Sequence, residues 1–235
     1  MKKFLAFIIC ITTVFFLCSC DNLKITNEMQ IAIDLYKSAV EKSKQKTQGN
    51  ISVTSVAVDS AIEFKTTKSE IDFIYTVDDN TVSFERSDRL NGKETAKYKC
   101  NGTEVFSYNY ETSNWDEKTE QNKEFMSASE NPFITLSLFR VDTNGKMRMD
   151  YMKNIRNYKE GEYTVVEFTL DDSTVSNVLQ YYKADGIVRK SAGHTRTYYI
   201  DSDGYIAKIV VATVQLMYTN GEEGSYSTEM TVICK

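Results

Sequence analysis

The residues best able to carry chemistry in this chain are its five cysteines and its single histidine. The cysteines lie at positions 10, 18, 20, 100 and 234, so three of them are grouped near the N-terminus and two stand far apart. Zinc sites need Cys and His ligands at short, regular spacings, and a lone His194 provides no such pattern. We therefore expect no metal site and no cofactor.

The first 19 residues have the organisation of an export signal. Lys2 and Lys3 form a positive start, residues 4–17 form an apolar run, and the small Ser19 then precedes a cysteine. The apolar run is too short and wrongly flanked to be interpreted first as a membrane-spanning helix. This segment predicts an exported protein whose signal peptide is residues 1–19.

The end of this signal, Leu17-Cys18-Ser19-Cys20, resembles the lipobox of bacterial lipoproteins. The resemblance implies cleavage before Cys20, diacylation of its thiol by fatty acids such as palmitate, and anchorage to the outer face of the cell membrane or facing the periplasm. Cys18 departs from the pattern, because Ala or Ser is usual there. The alternatives are an ordinary secretory signal or an uncleaved anchor. On this interpretation, residues 20–26 are a lipidated tether and residues 27–235 a single domain.

Two cysteines remain after the signal and the lipidation site are set aside. In an exported protein, Cys100 and Cys234 could pair in a disulfide, since export compartments are oxidising. The alternative is that both are buried free thiols, because cysteine packs as a small hydrophobic residue.

The mature chain is acidic. Removing residues 1–19 takes away two lysines and no acid, which leaves 26 basic against 33 acidic residues and a net charge of −7. Nucleic-acid phosphates require a basic face, so we expect no nucleic-acid partner. The acidity also argues against a broad electrostatic attachment to anionic lipid, so attachment should come from the acyl chains of a diacylglyceryl cysteine.

No motif of an enzyme active site is present. His194 has no nucleophile signature near it and is interpreted as a polar histidine at a strand edge. The segment Asp201-Ser-Asp203-Gly204 resembles the start of a calcium-binding loop. Its glycine comes too early, however, and Ala212 occupies the position of the last ligand. A hairpin turn is therefore the better interpretation. Asp171-Asp172 suits the start of a helix without any catalytic role. We expect a protein that is not an enzyme.

The first half of the mature chain predicts one helix followed by an antiparallel meander. Asn27 and Gln30 form a capping box, and apolar residues at helical spacing predict an amphipathic helix over residues 28–46. The period then changes to two, with strands expected at 51–64, 70–77, 81–90, 93–100 and 103–110. Asn91-Gly92 and Asn101-Gly102 predict type I′ hairpin turns, and Trp115 closes the meander.

The second half predicts further helices and a second meander. Residues 116–130 are expected to be a loop, residues 133–139 a short buried helix and residues 174–183 a second amphipathic helix. Strands are expected at 154–158, 162–170, 195–200, 205–217 and 226–234. The strand at 205–217 has apolar residues on both faces, which predicts a central strand that is covered on both faces or exposes a patch for a partner.

This order of elements resembles that of the bacterial lipoprotein carriers, the LolA/LolB-like superfamily, and of the related LppX-type lipoproteins. Two segments carry local resemblance, namely Val105-Phe106-Ser107-Tyr108 through Trp115, and the Asp-Gly hairpin of residues 199–206. The resemblance implies an α+β fold in which a curved, incompletely closed antiparallel sheet, a half-barrel, has helices covering its concave face. Members of this superfamily bind acyl chains and lipids in that cavity.

Two functional hypotheses from different classes follow. The first is a membrane-anchored, non-enzymatic lipoprotein that binds a lipid or another apolar ligand in the half-barrel. The second is a surface interaction or structural lipoprotein with a filled core and no ligand. Five aromatic residues that project from single faces of their strands could line a cavity or simply pack in the core. They are Phe73, Tyr75, Phe106, Tyr108 and Tyr110.

Overall fold

The architecture is an open antiparallel sheet with one helix against it. A computed structural model describes residues 25–59, 65–78, 81–102, 104–117, 152–170, 187–219 and 222–235. The signal peptide and Cys20 lie outside these residues, as do the helices expected at 133–139 and 174–183. The helix α1 is Asn27–Ser43. None of the described helices has the length and apolarity needed to cross a bilayer.

Eleven strands are described, and all of their pairings are antiparallel. Their bounds are β1 Gln48–Asp59, β2 Lys65–Asp78, β3 Thr81–Leu90, β4 Lys93–Asn101, β5 Val105–Asn109, β6 Asn114–Glu117, β7 Met152–Glu160, β8 Tyr163–Leu170, β9 Ile187–Ile200, β10 Ile206–Thr219 and β11 Glu222–Cys234.

The sheet consists of two meanders joined by the first and last strands. The order is β6-β5-β4-β3-β2-β1-β11-β10-β9-β8-β7, so β1 pairs with β11 in the interior and the described strands β6 and β7 form the edges. Beyond the last strand, the backbone amides of Asn50 and Lys235 exchange hydrogen bonds of 3.0 and 2.9 Å. The predicted antiparallel, incompletely closed sheet is confirmed.

The amphipathic stripe of α1 is confirmed, but its start differs from the prediction. The residues buried in the structure follow helical spacing and include Ala32, Ile33 and Tyr36. The N-cap is Thr26 instead of Asn27, because the Thr26 hydroxyl accepts a hydrogen bond of 3.2 Å from the Met29 amide. Gln30, the other half of the predicted capping box, donates instead to Asp34, at 2.8 Å.

Tyr36 identifies the face of the sheet that bears the helix. Its ring packs against Phe168 and Tyr198, with ring centroids 5.2 and 4.7 Å away. Strand register then assigns every paired residue either to this helix-bearing face or to the opposite face. The helix packs mainly against β7 and also contacts β8, β9 and β10.

The direction of α1 defines two ends of the sheet. Ser43, in its last turn, accepts a hydrogen bond of 3.0 Å from the Ile206 amide, and Lys42 donates to the Asp203 carbonyl in the β9–β10 turn. Tyr36, two turns earlier in α1, contacts Phe168 on β8 and Tyr198 on β9, both of which lie within the strands and away from the β9–β10 turn. The sheet therefore has a C-cap end, with the β9–β10 turn, and an N-cap end, with the Asn91-Gly92 turn and the end of β1.

The strand predicted to be central, now β10, is an interior strand between β9 and β11. Its helix-bearing face is covered, since Ile209 is fully buried and Val211 packs against the core. Its opposite face is less protected, because Val214 is 39% exposed. The sequence predicted that this face is either covered or exposes a patch, and at Val214 the structure shows an exposed side chain.

Only one of the two Asn-Gly pairs forms the predicted turn. Asn91 and Gly92 both have positive φ, 50° and 79°, as a type I′ turn requires. At the second pair only Gly102 has positive φ, and the chain needs residues 102–104 to connect β4 to β5. The Asn101 side chain accepts a hydrogen bond of 2.9 Å from the Glu104 amide, which stabilises this longer loop.

Candidate ligand-binding face

The helix-bearing face is apolar across the middle of the sheet. A row of paired residues crosses five strands from Ile71 on β2 to Tyr198 on β9, through Val53, Val232 and Ile209. The last two are completely buried, and the row continues to Val166 on β8. Removing such side chains from water is the main favourable term in folding.

An open groove of about 630 Å³ lies at the C-cap end of the sheet. Its lining is drawn from both faces of β2, with Tyr75 on the helix-bearing face and Ile74 and Thr76 on the opposite face, together with the mostly polar residues 45–50. A Cβ on Gly49 would lie only 3.0 Å from the Tyr75 ring, so the glycine lets the ring lie directly against the β1 backbone. Tyr75 is buried, whereas Ile74, the other apolar residue of the lining, is 56% exposed.

A smaller cavity lies at the N-cap end. It has a volume of about 230 Å³ and is lined by Ala57, Asp59, Thr67 and Tyr226. Ala57 and Thr67 are direct partners on β1 and β2, and Asp59 pairs with Tyr226 on β11. Small side chains at these positions leave space above the sheet that larger residues would fill. The volume suits a head group or the end of a chain better than a whole drug-sized ligand, which needs about 300–1,000 Å³.

Hydroxyl-bearing and basic side chains continue from this cavity along the same face. The row that contains Thr67 and Ala57 passes through Thr228 and Thr213 to His194 on β9. The neighbouring row ends in Arg196, whose partners are Val211 and Phe168. The helix-bearing face therefore changes from apolar under α1 to hydroxyl-lined toward the N-cap end.

His194 lies on the interior strand β9, which corrects the prediction of a strand-edge position. Burial of the imidazole, with a further contribution from the positive charge of Arg196, lowers the pKa of His194 to about 4. Its Nδ1 lies 3.3 Å from the Thr213 hydroxyl, and its buried Nε2 has no hydrogen-bond partner among the described residues. An imidazole with this pKa is a weak base at neutral pH, so the pair does not resemble an activated nucleophile.

The five aromatic candidates from the sequence do not share one face. Phe73 and Tyr75 are on the helix-bearing face, where Phe73 stacks on Phe84 with centroids 5.0 Å apart. Register places Phe106, Tyr108 and Tyr110 on the opposite face, because Phe106 pairs with Lys99 and Lys99 with Glu85. Only Phe73 and Tyr75 can therefore line a cavity beside α1.

The two remaining cysteines are not brought together. Cys100 is on β4 and Cys234 on β11, both are free thiols, and β3, β2 and β1 lie between their strands. A disulfide needs Cα atoms within about 7 Å, whereas neighbouring strands alone are about 4.8 Å apart. The disulfide prediction is corrected to its alternative. Burial raises the pKa of the Cys234 thiol to about 12, so it is inert at neutral pH.

The segment from Asp201 to Gly204 forms the expected hairpin turn. The Asp201 side chain accepts a hydrogen bond of 2.8 Å from the Tyr205 amide, and the Gly204 amide donates to the Asp201 carbonyl at 3.0 Å. Within the described residues, no group of three or more acidic, His or Cys side chains could hold a metal ion. The Asp171-Asp172 pair lies outside these residues.

Sequence reasoning missed the residues that shape the N-cap cavity. Ala57, Thr67 and Tyr226 carry no motif, and the strand containing Thr67 was expected to begin only at residue 70. The available signal is the run of small residues at alternate positions of β1, Ser55 and Ala57, after the larger Ile51 and Val53. Such a change in size along one face indicates space above the sheet.

Comparison with known proteins finds similar solved structures but no matching sequence. No protein-family model matches the chain, and no curated protein matches it. The lipoprotein LppX of Mycobacterium tuberculosis is 11% identical, with a TM-score of 0.44, and the match covers 88% of this chain and 94% of that one. A LolA superfamily protein from Nitrosomonas europaea is 10% identical, with a TM-score of 0.27 over 86% of this chain and 92% of that one.

A third solved structure is described as a putative outer membrane lipoprotein-sorting protein domain, from Vibrio parahaemolyticus. It is 9% identical, with a TM-score of 0.27, and the match covers 88% of this chain and 93% of that one. The structures found as similar thus include the LolA and LppX families that the sequence resembles.

Proposed function

We propose that this protein is an exported, lipid-anchored, non-enzymatic lipoprotein that binds a lipid or another apolar ligand on the helix-bearing face of its sheet. The observation that carries the proposal is the cavity of about 230 Å³ at the N-cap end of that face. It lies on the same face as the apolar row that crosses β2, β1, β11 and β10. Ligand sites are concave and mostly apolar, with a small number of polar groups.

The helix-bearing face offers different surroundings to the two parts of an amphiphile. Ile71 and Phe73 are partly buried on this face and would contact acyl chains, each CH₂ of which gains about 0.8 kcal/mol on burial. The hydroxyls of Thr67, Thr213 and Thr228 provide hydrogen-bond partners for a polar head near the N-cap cavity. In this proposal, helices beyond α1 complete the cover of the concave face, and residues 27–235 act as one half-barrel domain.

Anchorage is proposed from the lipobox. Cys20 would carry a diacylglyceryl group, and two acyl chains hold a protein to a membrane far more firmly than one. Cys20→Ala should accumulate as unprocessed precursor without acyl label. Normal processing and labelling of that variant would rule out Cys20 as the anchor.

Ligand binding is tested by native mass spectrometry of the protein extracted in mild detergent, combined with displacement of a fluorescent fatty acid. Thr67→Phe should weaken binding because its ring would fill the N-cap cavity. Thr66→Phe is the matched control, since Thr66 is exposed on the opposite face of the same strand. Equal binding by both variants, or a mass that always corresponds to the bare protein, would contradict the proposal.

The alternative, an interaction lipoprotein without a ligand, is favoured by exposed apolar residues on the opposite face of the joined strands. Val214 and Ile233 are 39% and 41% exposed on β10 and β11. Ile233→Lys should release a bound protein, seen as a lower mass of the native complex, and should leave fatty-acid displacement unchanged.

A further inference from the structure

The opposite face of the N-terminal meander carries a cluster of aromatic and lysine side chains near the sheet edge. We call Lys97, Lys99, Tyr108, Tyr110 and Trp115 the aromatic patch. The Tyr108 ring meets those of Tyr110 and Trp115 edge to face, with centroids 5.1 and 5.3 Å away. Tyr110 is 46% and Trp115 37% exposed.

The lysines of the patch lie against its rings. Lys99 Nζ is 4.5 Å from the centroid of the Trp115 ring, and Lys97 Nζ is 5.7 Å from that of Tyr108. Glu94 links the patch on its other side, since its carboxylate lies 3.1 Å from both Lys97 Nζ and the Tyr110 hydroxyl. The patch thus presents apolar rings with polar tips and ammonium groups, the combination that lies at membrane–water interfaces.

The patch lies at the same end of the sheet as the start of α1. Tyr110 begins the β5–β6 turn, and Trp115 pairs with Tyr108 just beyond it, which places both at the N-cap end. The N-cap cavity, with Asp59 and Tyr226, lies at that end too.

The length of the tether brings this end close to the membrane. Seven residues, Cys20 to Thr26, precede the first residue of α1 and span at most about 24 Å when fully extended. An acyl anchor on Cys20 therefore holds the start of the helix within that distance of the lipid headgroups. Strand register places the aromatic patch at the same end of the strands as the start of this helix.

We propose that the aromatic patch docks on the headgroup layer of the membrane to which the chain is tethered, as a second contact beside the acyl anchor. This inference rests on the proposed anchorage at Cys20. Tyr110 and Trp115 insert their rings among the headgroups, and Lys97 approaches the lipid phosphates. The docked orientation points the N-cap cavity toward the lipid surface from which an amphiphile would enter.

The single tryptophan makes this contact measurable without an added probe. Acylated mature protein is reconstituted into phosphatidylcholine vesicles with a minor fraction of phosphatidylglycerol, with or without a lipid carrying a spin label near its headgroup. Trp115 emission should shift to the blue relative to protein in detergent and should be quenched by the labelled lipid. Acrylamide, which quenches from the water, should become less effective.

Substitutions in the aromatic patch test its contact with the membrane separately from the acyl anchor. Lys97→Gln should lower the ratio of docked to undocked protein about fivefold, as expected for loss of one lysine near an anionic surface. Tyr110→Ser should also reduce quenching by the labelled lipid. Ile74→Ser is the matched control, because Ile74 is 56% exposed on the same face but lies near the C-cap end.

Each outcome decides the inference. Quenching that falls in both patch variants and stays in Ile74→Ser supports docking, provided that all three melt as the parent does. If one patch variant is misfolded, the other decides. Acylated protein whose Trp115 remains open to acrylamide and is not quenched by the labelled lipid overturns the docking and leaves the anchor intact. A mature chain without any acyl group would instead contradict the anchor itself.

Discussion

The two meanders of the sheet use the same strand pattern but are stabilised differently. The C-terminal meander, β7 to β11, packs against α1, and its strands bury Phe168, Val166 and Ile209 completely. In the N-terminal meander beyond β1, Val105 is 1% exposed, Tyr75, Phe84 and Cys100 retain a few per cent exposure, and Phe73 is partly buried. Completely buried side chains are thus more numerous in the C-terminal meander, and we expect that meander to contribute more to stability.

The largest expected effect tests the docking of the helix. Ala39→Asp would place an unpaired carboxylate between α1 and the sheet, which costs several kcal/mol. Amide hydrogen exchange should accelerate in β7 to β10 more than in β2 to β5. Ile31→Asp is the control, since Ile31 is exposed on the solvent side of the same helix. Equal acceleration in both meanders would show that they unfold as one unit.

A pair of phenylalanines compares the two cores directly. Phe168→Ala removes a fully buried ring that contacts Tyr36 and Tyr198 and should cost about 3–5 kcal/mol. Phe73→Ala removes a half-buried ring in the N-terminal meander and should cost less than half as much. Urea denaturation of the detergent-solubilised mature protein measures both. A cost for Phe73→Ala equal to that for Phe168→Ala would contradict the asymmetry.

A smaller effect depends on pH and belongs to the C-terminal meander alone. The folded pKa of His194 is lowered from 6.5 to about 4, so between these values the unfolded chain binds a proton that the folded chain does not. Stability at His194 is therefore fully present above pH 6.5 and is lost as the pH falls toward 4. The loss should be about 1–2 kcal/mol, reduced from the full linkage because solvent screens a half-buried group.

The free energy of unfolding of the parent and His194→Gln, measured from pH 7 to 4.5, checks this prediction. The variant should lose less stability across the window than the parent. Parallel curves would show that other groups cause the pH dependence.

The smallest expected effect concerns the start of α1. Thr26→Ala removes the hydroxyl that accepts from the Met29 amide and should cost about 1 kcal/mol. Asn27→Ala should cost less, because Asn27 is not the cap. If Asn27→Ala lowered the melting temperature more than Thr26→Ala, the capping box predicted from the sequence would be correct.

The sequence predicted elements well wherever local signals agree with pairing. The strand at 81–90 has its predicted bounds because a type I′ turn ends it at Asn91-Gly92. The helix stripe is also as predicted. By contrast, β2 begins five residues earlier than expected, at Lys65, because polar residues there are held by pairing with the preceding strand β1.

The candidate site was harder to predict than the elements. Alternation shows that Phe106, Tyr108 and Tyr110 share a face, but it does not show which face, because that depends on the pairing register of every strand between them and the helix. The pairing of β3 with β4 also contains a bulge between Asp88 and Arg89, which changes the register along these strands. The cavity depends equally on where strands meet, which no local pattern records.

The pairing of β1 with β11 has a consequence for biosynthesis. The two strands lie far apart in the sequence, so the meanders can join only after the residues of β11 have been synthesised. A chain that stops before β11 would leave β1 and β10 as long, open edges, which are templates for aggregation. Pairing between such distant segments is slow to form, so completion of the sheet is a late event in folding. Joining of the two meanders therefore waits for the residues of β11.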